Sequence, residues 1–231
     1  MTRSRIRFAD PRSLVLATIA TMMTLALLCS QSIRYGHADA PIAATADGVQ
    51  PVAVGETAPR FVVQTVEGDN VDFDPRKLER PAILITFRGG WCPYCNVHLS
   101  ELRHVLPEIG DMDIDVLFLS GDRPDQLYSS LRMDTKEDIE GLDYTILSDA
   151  NANAAIALGI AFNSDATLKR RKERGHDVEG SSMAKRGVLP VPAVFAIDAN
   201  GIVTYAHVVP DYKVRLPADE LLDVAKSLAG S

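Results

Sequence analysis

The chain has little cysteine, little tryptophan and no excess of positive charge. Three cysteines and one tryptophan stand among 231 residues. Three thiols are too few for a disulfide-stapled scaffold. A closed zinc site needs four ligands, and no second cysteine pair exists to join Cys92 and Cys95. Lys and Arg total 24 against 31 Asp and Glu. An acidic balance of that kind argues against a nucleic-acid partner, which would be held through its phosphates. Internal repeats and low-complexity tracts are absent. What remains, 46% apolar and 24% charged, is the composition of an ordinary globular protein.

One long apolar run interrupts that picture. Arg3, Arg5, Arg7 and Arg12 precede Ser13 to Ser30, a stretch without a charge. Arginines ahead of an apolar core have the layout of a secretory signal or a signal-anchor. Small-x-small pairs at Gly36 and Ala38, or Ala38 and Ala40, are candidate cleavage sites. Cys29 reads as a passenger in this segment. Residues 1–40 are therefore expected to export the chain, leaving it periplasmic or otherwise extracytoplasmic, either soluble or anchored. Any membrane contact would run through that segment alone. Residues 41–55 lack periodicity and read as a linker, and residues 56–231 as one domain. Without residues 1–40, 19 basic and 29 acidic residues remain, a charge of −10.

Hydrophobic periodicity organises the body. Arg60–Thr65 and Asn70–Phe73 flank the turn Glu67-Gly68-Asp69, predicting a hairpin. Ala82–Phe87 and Asp115–Ser120 are near-continuous apolar runs, typical of strands covered on both faces. Cys95, Leu99, Leu102 and Leu106 recur at helical spacing, predicting a helix from Pro93 that Pro107 closes. Further helices are expected over 123–133 and 151–160, with a short strand at Tyr144–Leu147. Residues 163–190 are charged and weakly patterned, and read as a surface insertion. Their basic run, Lys169–Lys172, reads as a solvated face. Ala193–Ile197 and Ile202–His207 flank Asp198-Ala-Asn-Gly201, a second hairpin, and a helix follows over Pro217–Leu228. Alternating strands and helices predict an α/β fold, a central mixed sheet flanked by helices.

The chemistry concentrates at FRGGWCPYC, residues 87–95. A buried strand runs into a glycine turn and a cysteine at a helix start. A thiol there faces unpaired N–H groups and the positive end of the helix dipole. Both favour the thiolate, which is the nucleophile. Cys92 is expected at the exposed tip and Cys95 on the inward stripe, one turn later, where it can close a disulfide. That loop is too small to staple a fold, so a structural role is disfavoured. Trp91 and Tyr94 are expected half-exposed, shielding the sulfur. Arg88 reads either as a charge beside the thiolate or as a surface arginine.

A Cys-x-x-Cys at the first strand-to-helix junction is the thioredoxin-like arrangement. FRGGWCPYCNVHL (87–99), VGETAPRF (54–61) and LPVPAVFAIDANG (189–201) together resemble a peroxiredoxin-like branch of the alkyl hydroperoxide reductase and thiol-specific antioxidant family. The resemblance implies an antioxidant enzyme that needs no cofactor or metal. Cys92 would attack a peroxide and become a sulfenic acid, and Cys95 would condense with it to a redox disulfide. A thioredoxin-like protein or other dithiol would reduce that disulfide. Gly90 and Pro93 would shape the turn. Two departures stand out. The family usually carries Thr or Ser where this chain has Gly89, and Arg at the start of the strand that opens here at Pro192. Val191-Pro192 instead resembles the cis-proline facing the cysteines in thioredoxins, and CPYC is the tetrapeptide of glutaredoxins.

Two further readings follow. An exported thiol-disulfide oxidoreductase would act on protein disulfides with the same pair. Metal binding or delivery, of copper above all, would use Cys92, Cys95 and His98, which follow one another at three-residue steps. His98 otherwise reads as a helix-surface residue. Asn96 after Cys95 excludes the haem-attachment pattern.

Overall fold

Short runs of apolar and β-branched residues generate nine strands among the described residues of the computed structural model, which are 41–142 and 144–230. The expected targeting segment, residues 1–40, lies outside them. Seven strands form the main sheet: β1 (Phe61–Gln64), β2 (Asn70–Phe73), β3 (Ala82–Phe87), β4 (Asp115–Ser120), β5 (Thr145–Ser148), β8 (Ala193–Ile197) and β9 (Val203–Val208). Their order is β2-β1-β5-β4-β3-β8-β9. β3, β4 and β5 run parallel, and the other pairs are antiparallel. This is the mixed sheet expected, with both hairpins in place. β6 (Ala161–Asn163) and β7 (Val188–Pro190) pair separately.

β3 sits at the centre, and its alternation feeds two cores. Ala82 and Leu84 pack with Phe61, Ala155, Leu189 and Phe195. Ile83, Ile85 and Phe87 pack on the opposite face, against α1 (Pro93–Leu102), α2 (Leu106–Gly110) and α7 (Ala218–Ala229). Leu99 and Leu102 of α1, Leu106 and Ile109 of α2, and Leu221, Ala225 and Leu228 of α7 supply that layer, and both cysteines lie within it.

Several boundaries differ from expectation, each for a local reason. Pro107 begins a helix rather than closing one: α1 ends at Leu102, and Pro107 occupies the first turn of α2, where its missing N–H costs nothing. Residues 123–133 hold one 3-10 turn, Pro124–Gln126, and the helix comes later as α3 (Met133–Ile139). Leu127 and Leu131 are buried, so their spacing marked burial rather than helix. The helix in 151–160 is confined to α4 (Asn153–Ala157).

Residues 163–190 are not a simple surface insertion. They form α5 (Asp165–Glu173), α6 (Ser182–Arg186) and β7, and they bury Val178, Met183, Val188 and Leu189 in the main core. Charge masked the pattern because α5 buries no residue fully. Residues 41–55, expected as a linker, are bonded to the body. Ala43 N–H donates to Ala161 O, Gln50 N–H to Gly159 O and Val52 N–H to Leu158 O. Gly159 lets the backbones lie close enough for those bonds, since a Cβ there would fall 2.0 Å from Gln50 O.

Candidate active site

At the end of β3 the chain turns through Arg88-Gly89-Gly90-Trp91 into Cys92, the residue that caps α1, with Pro93 in the first turn. Gly89 has φ +145°, and a Cβ there would lie 2.5 Å from Asp122 Oδ1 and 2.4 Å from Trp91 Nε1. A Thr or Ser at that position would need Asp122 and Trp91 to shift, and the positive φ itself favours glycine. Asp122, two residues past β4, holds the turn from one side: Gly90 N–H and the Ser130 hydroxyl each donate to its Oδ2 at 2.8 Å. Asn96 holds it from the other. Its side-chain amide donates to Gly90 O at 2.6 Å and Cys92 O at 2.9 Å, while its Oδ1 accepts from Arg132 N–H at 2.8 Å. Buried, well-partnered groups of this kind fix the position of a reacting atom.

Both thiols are free, and both are buried, Cys92 at 2% exposure and Cys95 at 1%. The exposed tip expected for Cys92 is therefore corrected. Trp91 packs against the core that holds both sulfurs, and Arg171 of α5 lies 4.4 Å over the Trp91 ring. The two sulfurs nevertheless differ in charge. The Cys95 thiol donates a hydrogen bond to Cys92 and lowers the Cys92 pKa to about 6, opposed by burial and helped by the Cys95 backbone N–H, Arg215 and Arg88. Burial, and then the role of donor to Cys92, push Cys95 well up. One sulfur is held as thiolate and the other as thiol.

Arginines surround the pair. Arg215 Nη2 lies 3.6 Å from Cys95 Sγ, and its Nη1 donates to the carbonyls of Tyr212 and Val214. Arg88, half-buried, lies 4.5 Å over Tyr212 and 5.5 Å over Phe162. It is thus a charge beside the thiolate and not a free surface arginine. Burial pulls the Arg88 and Arg171 guanidinium pKa values down, and the charge of Cys92 pushes both back up. Tyr94, 39% exposed, meets Tyr212 edge-on at 5.5 Å, while Trp91 is partly buried and packs against the cluster that holds the sulfurs.

Arg88, Gly90, Trp91, Cys92, Pro93, Tyr94 and Cys95 are therefore brought together. Pro192 joins less directly. Together with Thr86, His98 and Arg215 it lines a small void, so its link to the sulfurs runs through Arg215. The Val191–Pro192 peptide is trans, not cis. In that form Val191 N–H reaches Ile160 O, and Val191 O accepts from the Thr86 hydroxyl at 3.2 Å, which carries an extended run from β7 into β8. His98 is corrected as well. It is buried, its Nε2 lies 3.0 Å from Leu216 O, and burial lowers its pKa to about 4. Among the described residues no group of three or more His, Cys, Asp or Glu is placed to hold a metal ion.

Sequence reasoning missed Asp122, Asn96, Arg171, Tyr212 and Arg215. One of them was within reach. β3 and β4 are parallel with Phe87 opposite Ser120, so the residues two places beyond each strand, Gly89 and Asp122, fall side by side. Arg215 lies 120 positions from Cys95, and nothing local marks it.

Comparison with known proteins points the same way. Residues 53–222 match the family described as Redoxin. Thiol-disulfide oxidoreductase ResA of Halalkalibacterium halodurans is 26% identical over 106 residues, 46% of this chain. That match spans only 56% of ResA itself. Peroxiredoxin Bcp of Escherichia coli is 24% identical over 181 residues, covering 78% of this chain and 100% of the relative. Among solved structures, a peroxiredoxin-like protein from Aquifex aeolicus superposes with TM-score 0.58 at 22% identity, covering 81% of this chain and 98% of the other. Peroxidoxin BcpB of Mycobacterium tuberculosis gives TM-score 0.52 at 17% identity, over 77% and 96%.

Proposed function

Because this chain belongs to the Redoxin family, as a peroxiredoxin-like protein of thioredoxin-like fold with a thiol-dependent redox function, we propose that it is a thiol peroxidase built on Cys92 and Cys95. The Cys92 thiolate attacks one peroxide oxygen. The S–O bond forms, the O–O bond breaks, and the leaving oxygen departs with the electron pair and takes a proton. Cys92 is then a sulfenic acid. Cys95 attacks that sulfur, the disulfide forms, and water leaves. A thioredoxin-like dithiol from outside returns two electrons by exchange.

The observation that carries this reading is the burial of Cys92, at 2% exposure, together with its depressed pKa. Reaching a recessed thiolate asks less movement of the protein for a small peroxide than for a protein disulfide. A protein disulfide must place two sulfurs in line with it, which needs an open approach. Arg215 beside Cys95 favours the deprotonation that the resolving step requires.

Variants of the two cysteines test the roles. Cys92→Ser is expected to abolish reaction with stoichiometric hydrogen peroxide, followed by mass spectrometry. Cys95→Ser is expected to take up one oxygen and stop there. Equal loss of the first oxidation in both variants contradicts the assignment.

The match to ResA favours one alternative, exchange with disulfides of other exported proteins by the same pair. Gly89 supports it too, since no hydroxyl is available there to polarise a peroxide. The arginine block and apolar run of residues 3–30 support export of the body beyond the cytoplasm, and cell fractionation tests it.

A further inference from the structure

The void beside Pro192 lies where β3, β8, β9, α1 and the segment before α7 meet, and Thr86, His98, His207 and Arg215 line it. Its volume is about 10 Å³, room for one water. Two of these residues carry a buried polar atom with no hydrogen-bond partner in the protein: Arg215 Nε and His207 Nε2. His207 belongs here by register, since Val194, its cross-strand partner on β8, lines the same void. A buried polar atom left unpaired costs free energy. A single water both accepts and donates, so one molecule can satisfy a guanidinium N–H and an imidazole nitrogen together.

Protonation suits that bridge. Burial lowers the His207 pKa, Glu220 of α7 raises it back in part, and Arg215 lowers it further. The ring is therefore uncharged at neutral pH, and its Nε2 can accept. Arg215 is the residue in need of support. Its Nη1 is held by the Tyr212 and Val214 carbonyls, and its Nη2 lies 3.6 Å from Cys95 Sγ. The next residue is pinned too, because His98 Nε2 lies 3.0 Å from Leu216 O. Only the Nε edge of the guanidinium lacks a partner. The group is planar and rigid, so fixing Nε fixes the direction in which Nη2 meets the sulfur.

We propose that His207 is a positioning residue for disulfide closure: through one water in this void it accepts from Arg215 Nε–H and holds the guanidinium against Cys95. The proposal rests on the reading of Cys95 as the resolving thiol. His207 takes no proton in the step. Cys95 gives up its proton, its sulfur bonds to Cys92, and the hydroxide that leaves Cys92 takes that proton as water. His207 acts only by keeping the positive charge where the Cys95 thiolate forms.

Closure can be followed in two ways on the reduced full chain. After stoichiometric hydrogen peroxide, Trp91 fluorescence in stopped flow reports oxidation and then closure. With Ellman's reagent, Cys92 displaces one thionitrobenzoate and Cys95, attacking the mixed disulfide, displaces the second, so closure is read without peroxide. His207→Leu should slow closure about fivefold, the effect of losing one ordinary hydrogen bond. Oxidation of Cys92 should move less, since the Cys95 thiol acts on Cys92 more strongly than Arg215 does. His207→Gln keeps an acceptor and should restore most of the closure rate. A Leu variant that closes as fast as the unmodified chain, or a Gln variant as slow as Leu, overturns the inference and leaves the peroxidase reading standing. Cys92 inert to peroxide, with closure after Ellman's reagent still dependent on His207, overturns the peroxidase reading alone. A crystal structure of the reduced chain should show one water within hydrogen-bond distance of both Arg215 Nε and His207 Nε2, and a dry void would overturn the bridge directly.

Discussion

Asp122 and Gly90 are joined across two parallel strand ends: Gly90 N–H donates to Asp122 Oδ2 at 2.8 Å, and Asp122 Oδ1 fills the space a side chain at the neighbouring Gly89 would need. The carboxylate thereby sets the path of the turn that delivers Cys92 to the start of α1. It acts through the backbone and does not touch the sulfur, so it is a positioning residue.

Replacing it exposes that role. Asp122→Ala leaves the buried Gly90 N–H and Ser130 hydroxyl without an acceptor, a loss of about 1–3 kcal/mol. Urea unfolding should show a lower midpoint with an unchanged slope. Native stability in this variant would contradict the role.

Gly89 should resist substitution for a related reason. Gly89→Ser adds a Cβ within 2.5 Å of the Asp122 carboxylate at a positive φ. A destabilisation of about 1–3 kcal/mol is expected. No gain in peroxide rate should accompany the added hydroxyl. A stable and faster variant would mean that Gly89 is not dictated by space.

Part of this was readable from the chain and part was not. β3 and α1 were legible because apolar run, glycine turn, Pro93 and helical spacing agree over residues 82–102. The burial of Cys92 was not, because the residue that lies over its neighbour, Arg171, sits 80 positions away inside a run of four basic residues. Lys169, Arg170 and Lys172 are exposed, as a solvated face should be, and only Arg171 turns inward. Composition reports the average of a helix, whereas packing singles out one side chain. Pro107 shows the same limit: a proline marks a helix boundary, and only tertiary context says which end.

The charge of Cys92 can be read by alkylation. Iodoacetamide reacts with thiolate, so its rate in the reduced chain should rise through a midpoint near pH 6, because the folded pKa is depressed to about 6. The anion is thus present at neutral pH and lost as pH falls below that midpoint. Cys95→Ala removes the donor that depresses the pKa most, and the midpoint should move up towards about 8.5. An unmoved midpoint would assign the shift to the arginines and helix start.

Arg215 should separate the two chemical steps. Arg215→Met removes the guanidinium 3.6 Å from Cys95 Sγ, so deprotonation of Cys95 becomes harder. Sulfenic acid should accumulate in this variant, with disulfide closure slowed about tenfold. Trapping with dimedone and mass spectrometry distinguishes this from slower first oxidation, which would place Arg215 at the wrong step.

The central claim is that a recessed thiolate at Cys92 serves peroxide rather than protein disulfide. The direct measurement sets the rate of Cys92 oxidation by stoichiometric hydrogen peroxide against its rate of exchange with insulin disulfides, on the same reduced chain at neutral pH. Loss of both thiols to peroxide within seconds, with slow insulin reduction, is the predicted result. Thiols that survive peroxide for many minutes while insulin is reduced quickly would contradict it.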